Sequence, residues 1–254
     1  MADTRAWLAA DWPAPDHVHA GTTTRAGGYS KPPYASFNLA AHVGDDGAAV
    51  NHNRRQLQQC LQLPAEPAWL QQVHGPRVIA AHTIDDGPAD ASWTDRPGVV
   101  CAVLTADCLP LLLTDRGGSC VAVVHVGWRG LVAGVIDATV AALPAHPADL
   151  LAWLGPAIGP AAFEVGSDVR DACLATFANA DSCFTRGRPG HWQADLPGLA
   201  ERALRRAGVE TCCNCGYCTY SDPLRFYSYR RDGTTGRMAS LIWMDAAPVD
   251  YACR

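Results

Sequence analysis

His74, Cys108 and His125 together offer two imidazoles and one thiolate, a ligand set suited to zinc and also to copper. His125 ends the apolar run 121–125, directly before the glycine-bounded segment 127–130. Cys108 follows Thr105-Ala-Asp after a second apolar run, and His74 closes the short segment 71–75 before Gly75. Strand ends at such turns are where α/β folds place their sites. Taken alone, His125 reads equally well as a core histidine bonded to backbone. Taken together, three protein ligands leave the fourth position of a zinc open, the arrangement of a catalytic site. Zinc lowers the pKa of water bound there to about 7. Without metal, the same trio reads as a thiolate nucleophile with a histidine base. Asp107, beside Cys108, can serve as base, as an orienting group or as a turn former.

Other groups carry weaker signals. Cys212, Cys213, Cys215 and Cys218 lie within seven residues, with C-x-x-C spacings but no second pair. A structural zinc usually needs two pairs, or one pair and two distant ligands, so these read first as free or partly oxidised thiols, with a zinc knuckle as the alternative. His17 and His19 form a lone H-x-H on a surface strand. The run 230–237 (RRDGTTGR) reads either as a solvated hairpin or as an anion-holding turn. Arg25 and Arg129, each near glycine, are similar candidates.

The elements that must position these residues are clearest in the centre of the chain. Residues 99–104 are an unbroken apolar strand, residues 111–114 a second and residues 120–126 a third. The Asp115-Arg-Gly-Gly118 turn separates the last two. A helix is predicted over 131–143, another over 48–61 with Val50, Leu57 and Leu61 on one side, and strand-like stretches over 68–74, 76–82 and 151–154. Ser167 is placed to cap a helix reaching Phe177. Asp195 is placed to cap one from Pro197 to about Ala207, with Gly208 past its end. Residues 20–47 read as loops around short strands. Hairpins mixed with crossovers predict an α/β class fold, a mixed sheet with helices packed on it.

Composition bounds the reading. With 254 residues and 48% hydrophobic content, the chain suits a single domain over 1–254 with a sizeable core. The net charge of -5 and a single lysine, Lys31, argue against a nucleic-acid partner bound through phosphates. Met1 to Trp7 has no apolar core of a leader, and the most apolar stretch, 99–113, is interrupted by Asp107 and Pro110, so no membrane span is predicted and the expected location is cytoplasmic. Eleven cysteines without a secretion signal predict buried thiols or ligands, not a disulfide framework. Cys60, Cys101, Cys120 and Cys173 are expected in the core.

Several blocks in one order then make a resemblance specific. They are 22–30 (TTTRAGGYS), 37–39 (FNL), 42–45 (HVGD), 72–75 (QVHG), 105–110 (TADCLP), 125–130 (HVGWRG), 155–160 (GPAIGP) with 163–166 (FEVG), and 226–240 (FYSYRRDGTTGRMAS). The chain resembles the YfiH family of laccase-domain, polyphenol oxidase-like proteins over nearly its whole length. The resemblance implies the zinc trio His74, Cys108 and His125, and a mixed α/β sandwich similar to the catalytic domain of cytotoxic necrotising factor. It also implies purine nucleoside chemistry. This comprises phosphorolysis of adenosine, inosine, guanosine and S-methyl-5′-thioadenosine, and deamination of adenosine to inosine. Cys212, Cys213 and Cys215 depart from the family pattern.

The expected partners are thus purine nucleosides and phosphate, with Arg25, Arg129, Arg230 and Arg231 as candidate anion holders. Deamination would use metal-activated water against C6 of adenine. The first alternative is a copper-dependent polyphenol oxidase. Nine histidines with one H-x-H and no H-C-H are too few for type 1 and trinuclear copper centres, although copper can still occupy the trio in vitro. The second alternative is an amide hydrolase editing peptidoglycan precursors, with Cys108 or a zinc-bound water as nucleophile.

Overall fold

A computed structural model describes residues 6–83 and 87–245. Met1 to Arg5, at the start read for a leader, lie outside the described residues. In chain order the strands are β1 (Trp7–Ala9), β2 (Val18–Thr23), β3 (Val78–Ala80), β4 (Ala91–Thr94), β5 (Cys101–Thr105), β6 (Leu109–Asp115), β7 (Val121–Val126), β8 (Leu150–Leu154), β9 (Glu164–Gly166), β10 (Phe184–Arg186), β11 (His191–Ala194), β12 (Thr211–Asn214) and β13 (Met238–Met244). The helices are α1 (Gly47–Leu61), α2 (Trp128–Val132), α3 (Val135–Ala142), α4 (Ser167–Thr176), α5 (Leu196–Arg206) and the single turn α6 (Tyr229–Asp232).

Two sheets carry the architecture. A six-stranded sheet has the order β12-β8-β6-β7-β4-β3, and a four-stranded sheet has the order β1-β2-β13-β5. Pairing is antiparallel except for β12 with β8 and β3 with β4, so the larger sheet is mixed, as the hairpins and crossovers predict. Strand alternation sets the layers. Val121 and Val123 of β7 pack with Cys101 and Val103 of β5, Leu112 of β6 and Ile242 of β13, filling the space between the sheets. Ala122, Val124 and Val126 face the other way, onto Leu131, Val135 and Ile136 of α2 and α3 and onto α5. Ala102 and Leu104 of β5 face a third cluster with Leu57 of α1 and Phe37. Helices therefore cover both outer faces of a two-sheet core, one compact unit of mixed α/β class.

Several local expectations change for physical reasons. The helix predicted over 131–143 starts at Trp128 and divides at Gly134, whose φ of 89° lies in the left-handed region. The stretch 68–74 forms no strand beyond a bridge from Ala68 to Cys101. Instead the Gln72 side-chain amide pairs with the Leu104 backbone, accepting from its N–H at 2.8 Å and donating to its oxygen at 2.9 Å. The run 230–237 is no hairpin: its start belongs to α6, capped by Ser228 Oγ. Gly166, not Ser167, is the N-cap of α4, while Asp195 caps α5 through the Gly198 N–H. Strand β6 runs through Pro110, because the Pro110 carbonyl accepts from Gly155 N and its missing donor therefore faces away from β7. Cys101, Cys120 and Cys173 are buried as expected, but Cys60 is exposed on α1.

Candidate metal centre

The two sheets bring the trio together at one end of their shared core. Residues 121, 123 and 125 of β7 point to the inter-sheet side, so His125 follows Val123 toward the smaller sheet. Cys108 stands in the turn between β5 and β6. Asp107 in that turn has a φ of 88°, and its carboxylate accepts from Thr219 Oγ1 at 2.6 Å and from Arg230 N at 2.7 Å. Of the three roles open to it, Asp107 fills that of turn former. It locks the Cys108 turn to the segment preceding β13. Strand β5, before Cys108, lies in the smaller sheet facing β7, whereas β6, directly after Cys108, pairs with β7 and sets Pro110 opposite His125.

His74 reaches the same point from a loop, with a backbone φ of 60°. Asp90 makes this possible. Its carboxylate is fully buried and accepts from the N–H groups of Val73, His74 and Gly75 at 3.1, 2.9 and 2.8 Å. It also holds Nδ1 of His125 at 2.7 Å, leaving Nε2 as the free ring nitrogen. Burial alone would raise the Asp90 pKa, but the His125 hydrogen bond and the Gly75 and Val73 amides hold it below the ordinary value. One carboxylate thus fixes the backbone of one candidate ligand and the ring of another, an arrangement that metal-ligating histidines generally require. Sequence reasoning missed Asp90, because an aspartate between two alanines has the local signature of any turn.

The geometry fits a metal. One ligand atom from each of His74, Cys108 and His125 lies within 4.8 Å of the others. Cys108 Sγ stands 3.7 Å from His74 Nε2. A tetrahedral zinc with ordinary Zn–S and Zn–N bonds separates such atoms by roughly 3.6 Å. The His74 and His125 rings meet edge to face with centroids 4.7 Å apart. Gly127 clears the space beside them, since a Cβ there would lie 2.6 Å from His74 Cδ2 and 3.4 Å from Cys108 Sγ. Electrostatics agree with the donor chemistry. Burial opposes ionisation of Cys108, but the neighbouring His125 charge and hydrogen bonds from both histidines prevail, holding the thiol at about 6. Burial likewise opposes protonation of His125, yet Cys108 and Asp90 raise it to about 9. Without metal the pair is a thiolate and an imidazolium.

The trio opens into a cleft of about 510 Å³, within the range of about 300–1,000 Å³ usual for small-molecule sites. Aromatic faces from Trp128, Phe163 and Tyr229 line it, with Arg129, Arg230, Arg237 and His42. Arg25 and Arg231 do not. Arg25 binds the carbonyls of Ala35 and Pro223, and Arg231 binds those of Thr219, Tyr220 and Phe226 and pairs with Asp232. The cysteine cluster holds no converging ligand set among the described residues. Strand alternation sends Cys212 to the helix side of the sheet and Cys213 to the inter-sheet side. His17 bonds Gly118 O, while His19 stacks on Trp243 and bonds Asp245, so neither joins the trio. No helix among the described residues is long and apolar enough to cross a membrane.

Comparison with known proteins agrees with this architecture. A Pseudomonas aeruginosa protein named purine nucleoside phosphorylase is 53% identical over 94% of this chain and 98% of its own length. An Escherichia coli protein named purine nucleoside phosphorylase YfiH is 49% identical over 92% of this chain and 96% of its own. The crystal structure of Neisseria meningitidis protein NMB0706 superposes with a TM-score of 0.91 at 48% identity, covering 95% of this chain and all of that one. That of YlmD from Geobacillus stearothermophilus superposes with a TM-score of 0.89 at 32% identity, over 97% and 98% of the two chains. Residues 19–245 match the family described as multi-copper polyphenol oxidoreductase laccase, and the chain belongs to that family, among its YfiH-like members.

Proposed function

We propose that the chain is a zinc-dependent purine nucleoside phosphorylase acting at the His74, Cys108 and His125 centre. Its substrates in this reading are adenosine, inosine, guanosine and S-methyl-5′-thioadenosine, and the same cleft also deaminates adenosine to inosine. The observation that carries the reading is one cleft holding a three-ligand metal position, aromatic faces and guanidinium groups together. Those are the surfaces that a purine ring and a phosphate need. The names of the two relatives point to the same chemistry.

In phosphorolysis a phosphate oxygen forms a bond to C1′ of the sugar, and the purine leaves with the electrons of the C1′–N bond. Arg129 and Arg230 line the cleft and supply positive charge for the phosphate. Phe163 and Tyr229 offer flat faces to the base. Asp90 keeps the His125 ring in one orientation. A zinc bound by the trio supplies Lewis acidity toward a substrate oxygen or water.

The family's description favours a second reading, oxidation of phenols with copper. The described residues bring together one trio, whereas a multicopper oxidase needs several copper positions, so in this reading oxidation is a side activity of copper in the same site.

The deciding experiment incubates purified protein of known metal content with adenosine, with and without phosphate, and separates the products. Phosphate-dependent release of adenine is expected with zinc loaded, and inosine marks deamination. Turnover of a phenol with copper, and no nucleoside product with zinc, would overturn the proposal.

A further inference from the structure

The arginine best built to hold an anion in the cleft is Arg237, at the end of the run 230–237. Arg237 immediately precedes β13, and the register of Met238 with Thr105 sets it beside the turn that carries Cys108. Its side chain is anchored by its own loop: Nη1 donates to the carbonyls of Thr235 and Gly236 at 2.9 and 3.0 Å. Its backbone N–H is held by Asn38 Oδ1 at 2.9 Å.

No carboxylate among the described residues lies within ion-pair distance of Arg237. Asp107 shares the cleft, but its two oxygens are already taken by Thr219 and by the Arg230 amide. Burial depresses the Arg237 guanidinium, and the charges of Cys108 and Asp107 restore only part of the loss. The other cleft arginines are less sheltered. Arg230 is exposed with its Nη1 turned to the carbonyls of Glu164 and Ala162, and Arg129 is exposed across the face of Trp128. His42 shares the cleft, and burial together with Arg237 and Arg54 lowers its pKa, so its ring is a neutral hydrogen-bonding group at pH 7.

A half-buried guanidinium held in place, without a carboxylate and next to a metal position, is matched by a tetrahedral oxyanion. We propose that Arg237, with His42 in the same cleft, anchors inorganic phosphate beside the His74, Cys108 and His125 centre. The proposal rests on the phosphorolytic reading for its reaction, but the anion site itself can be tested without it. Arg237 stays protonated throughout and transfers no proton; it holds the phosphate while a phosphate oxygen forms the bond to C1′.

The test compares metal-loaded wild type, Arg237→Gln and Arg237→Lys. Inosine phosphorolysis is measured with phosphate and nucleoside varied separately, and thermal midpoints are measured with phosphate or chloride at matched ionic strength. Arg237→Gln is expected to raise the KM for phosphate about tenfold or more, as loss of a charge-assisted contact does, while the KM for inosine changes less than about twofold. It is also expected to abolish the phosphate-specific rise in midpoint. Arg237→Lys keeps the charge without the fork and falls between. An unchanged phosphate KM and midpoint rise in Arg237→Gln, with metal content equal to wild type, overturns the proposal. If Arg237→Gln does not fold, the same unchanged values in Arg237→Lys overturn it. A wild type that shows no phosphorolysis but keeps an Arg237-dependent midpoint rise supports the anion site and refutes the phosphorolytic reading. A wild type with neither refutes both.

Discussion

At the residue scale, Asp90, His125 and Cys108 form one electrostatic chain. Cys108 is depressed below the ordinary thiol value and His125 is raised above the ordinary imidazole value, each chiefly through the other once burial is overcome. The signs set a window. The pair's contribution to stability is lost as pH falls through about 6 and Cys108 gains a proton, and as pH rises through about 9 and His125 loses one. In metal-free protein, ultraviolet thiolate absorbance should therefore show a step centred near pH 6 that Cys108→Ala removes. In Asp90→Asn the step should move to higher pH, because the imidazolium loses its carboxylate. A step unmoved by Asp90→Asn would remove Asp90 from the chain of influence. His125 and Cys108 were legible because each follows an apolar run at a turn. Asp90 was not, since its partners Val73, His74, Gly75 and His125 come from two distant segments. Among the arginines of 230–237, charge and glycine content gave no sign of which would turn inward.

At the element scale, two glycines around α2 do different work. Gly127, its N-cap, leaves the space that His74 and Cys108 occupy. Gly134, between α2 and α3, supplies a left-handed turn away from them. Gly127→Ala should weaken zinc binding about tenfold or more by pushing the His74 ring off its position, as disturbed ligand support does. Gly134→Ala should cost about 1–2 kcal/mol of stability through its backbone conformation and leave metal stoichiometry intact. Chelator competition and chemical denaturation on both variants separate the two effects; equal metal affinity in Gly127→Ala and wild type would contradict the first. Strands β5 to β7 were legible as unbroken apolar runs. The Gln72 pairing was not, because a side chain acting as a strand partner leaves no alternating pattern. Nor was the assignment of β5 and β7 to separate sheets, since pairing at long sequence separation has no local signature.

At the scale of the whole molecule, the candidate ligands come from both sheets and a loop. A metal that binds this folded arrangement and not the unfolded chain stabilises the protein by mass action, about 2.7 kcal/mol at a free concentration roughly a hundred times Kd. For a chain of this size that corresponds to a rise in thermal midpoint of about 5–10 °C. Calorimetry should show the rise with zinc, its loss on chelation and its absence in Cys108→Ala; a midpoint indifferent to the chelator would sink the idea. The β6–β7 ladder has one more consequence. It pairs Leu109 with Val126 and Pro110 with His125, so backbone register holds Cys108, one residue before Leu109, at a set gap from His125. His74 stands outside that ladder, on a loop tied down by the Asp90 carboxylate. The ligand set is therefore fixed on one side and adjustable on the other, and ions of different radius are met by movement of the His74 loop against a constant Cys108–His125 pair.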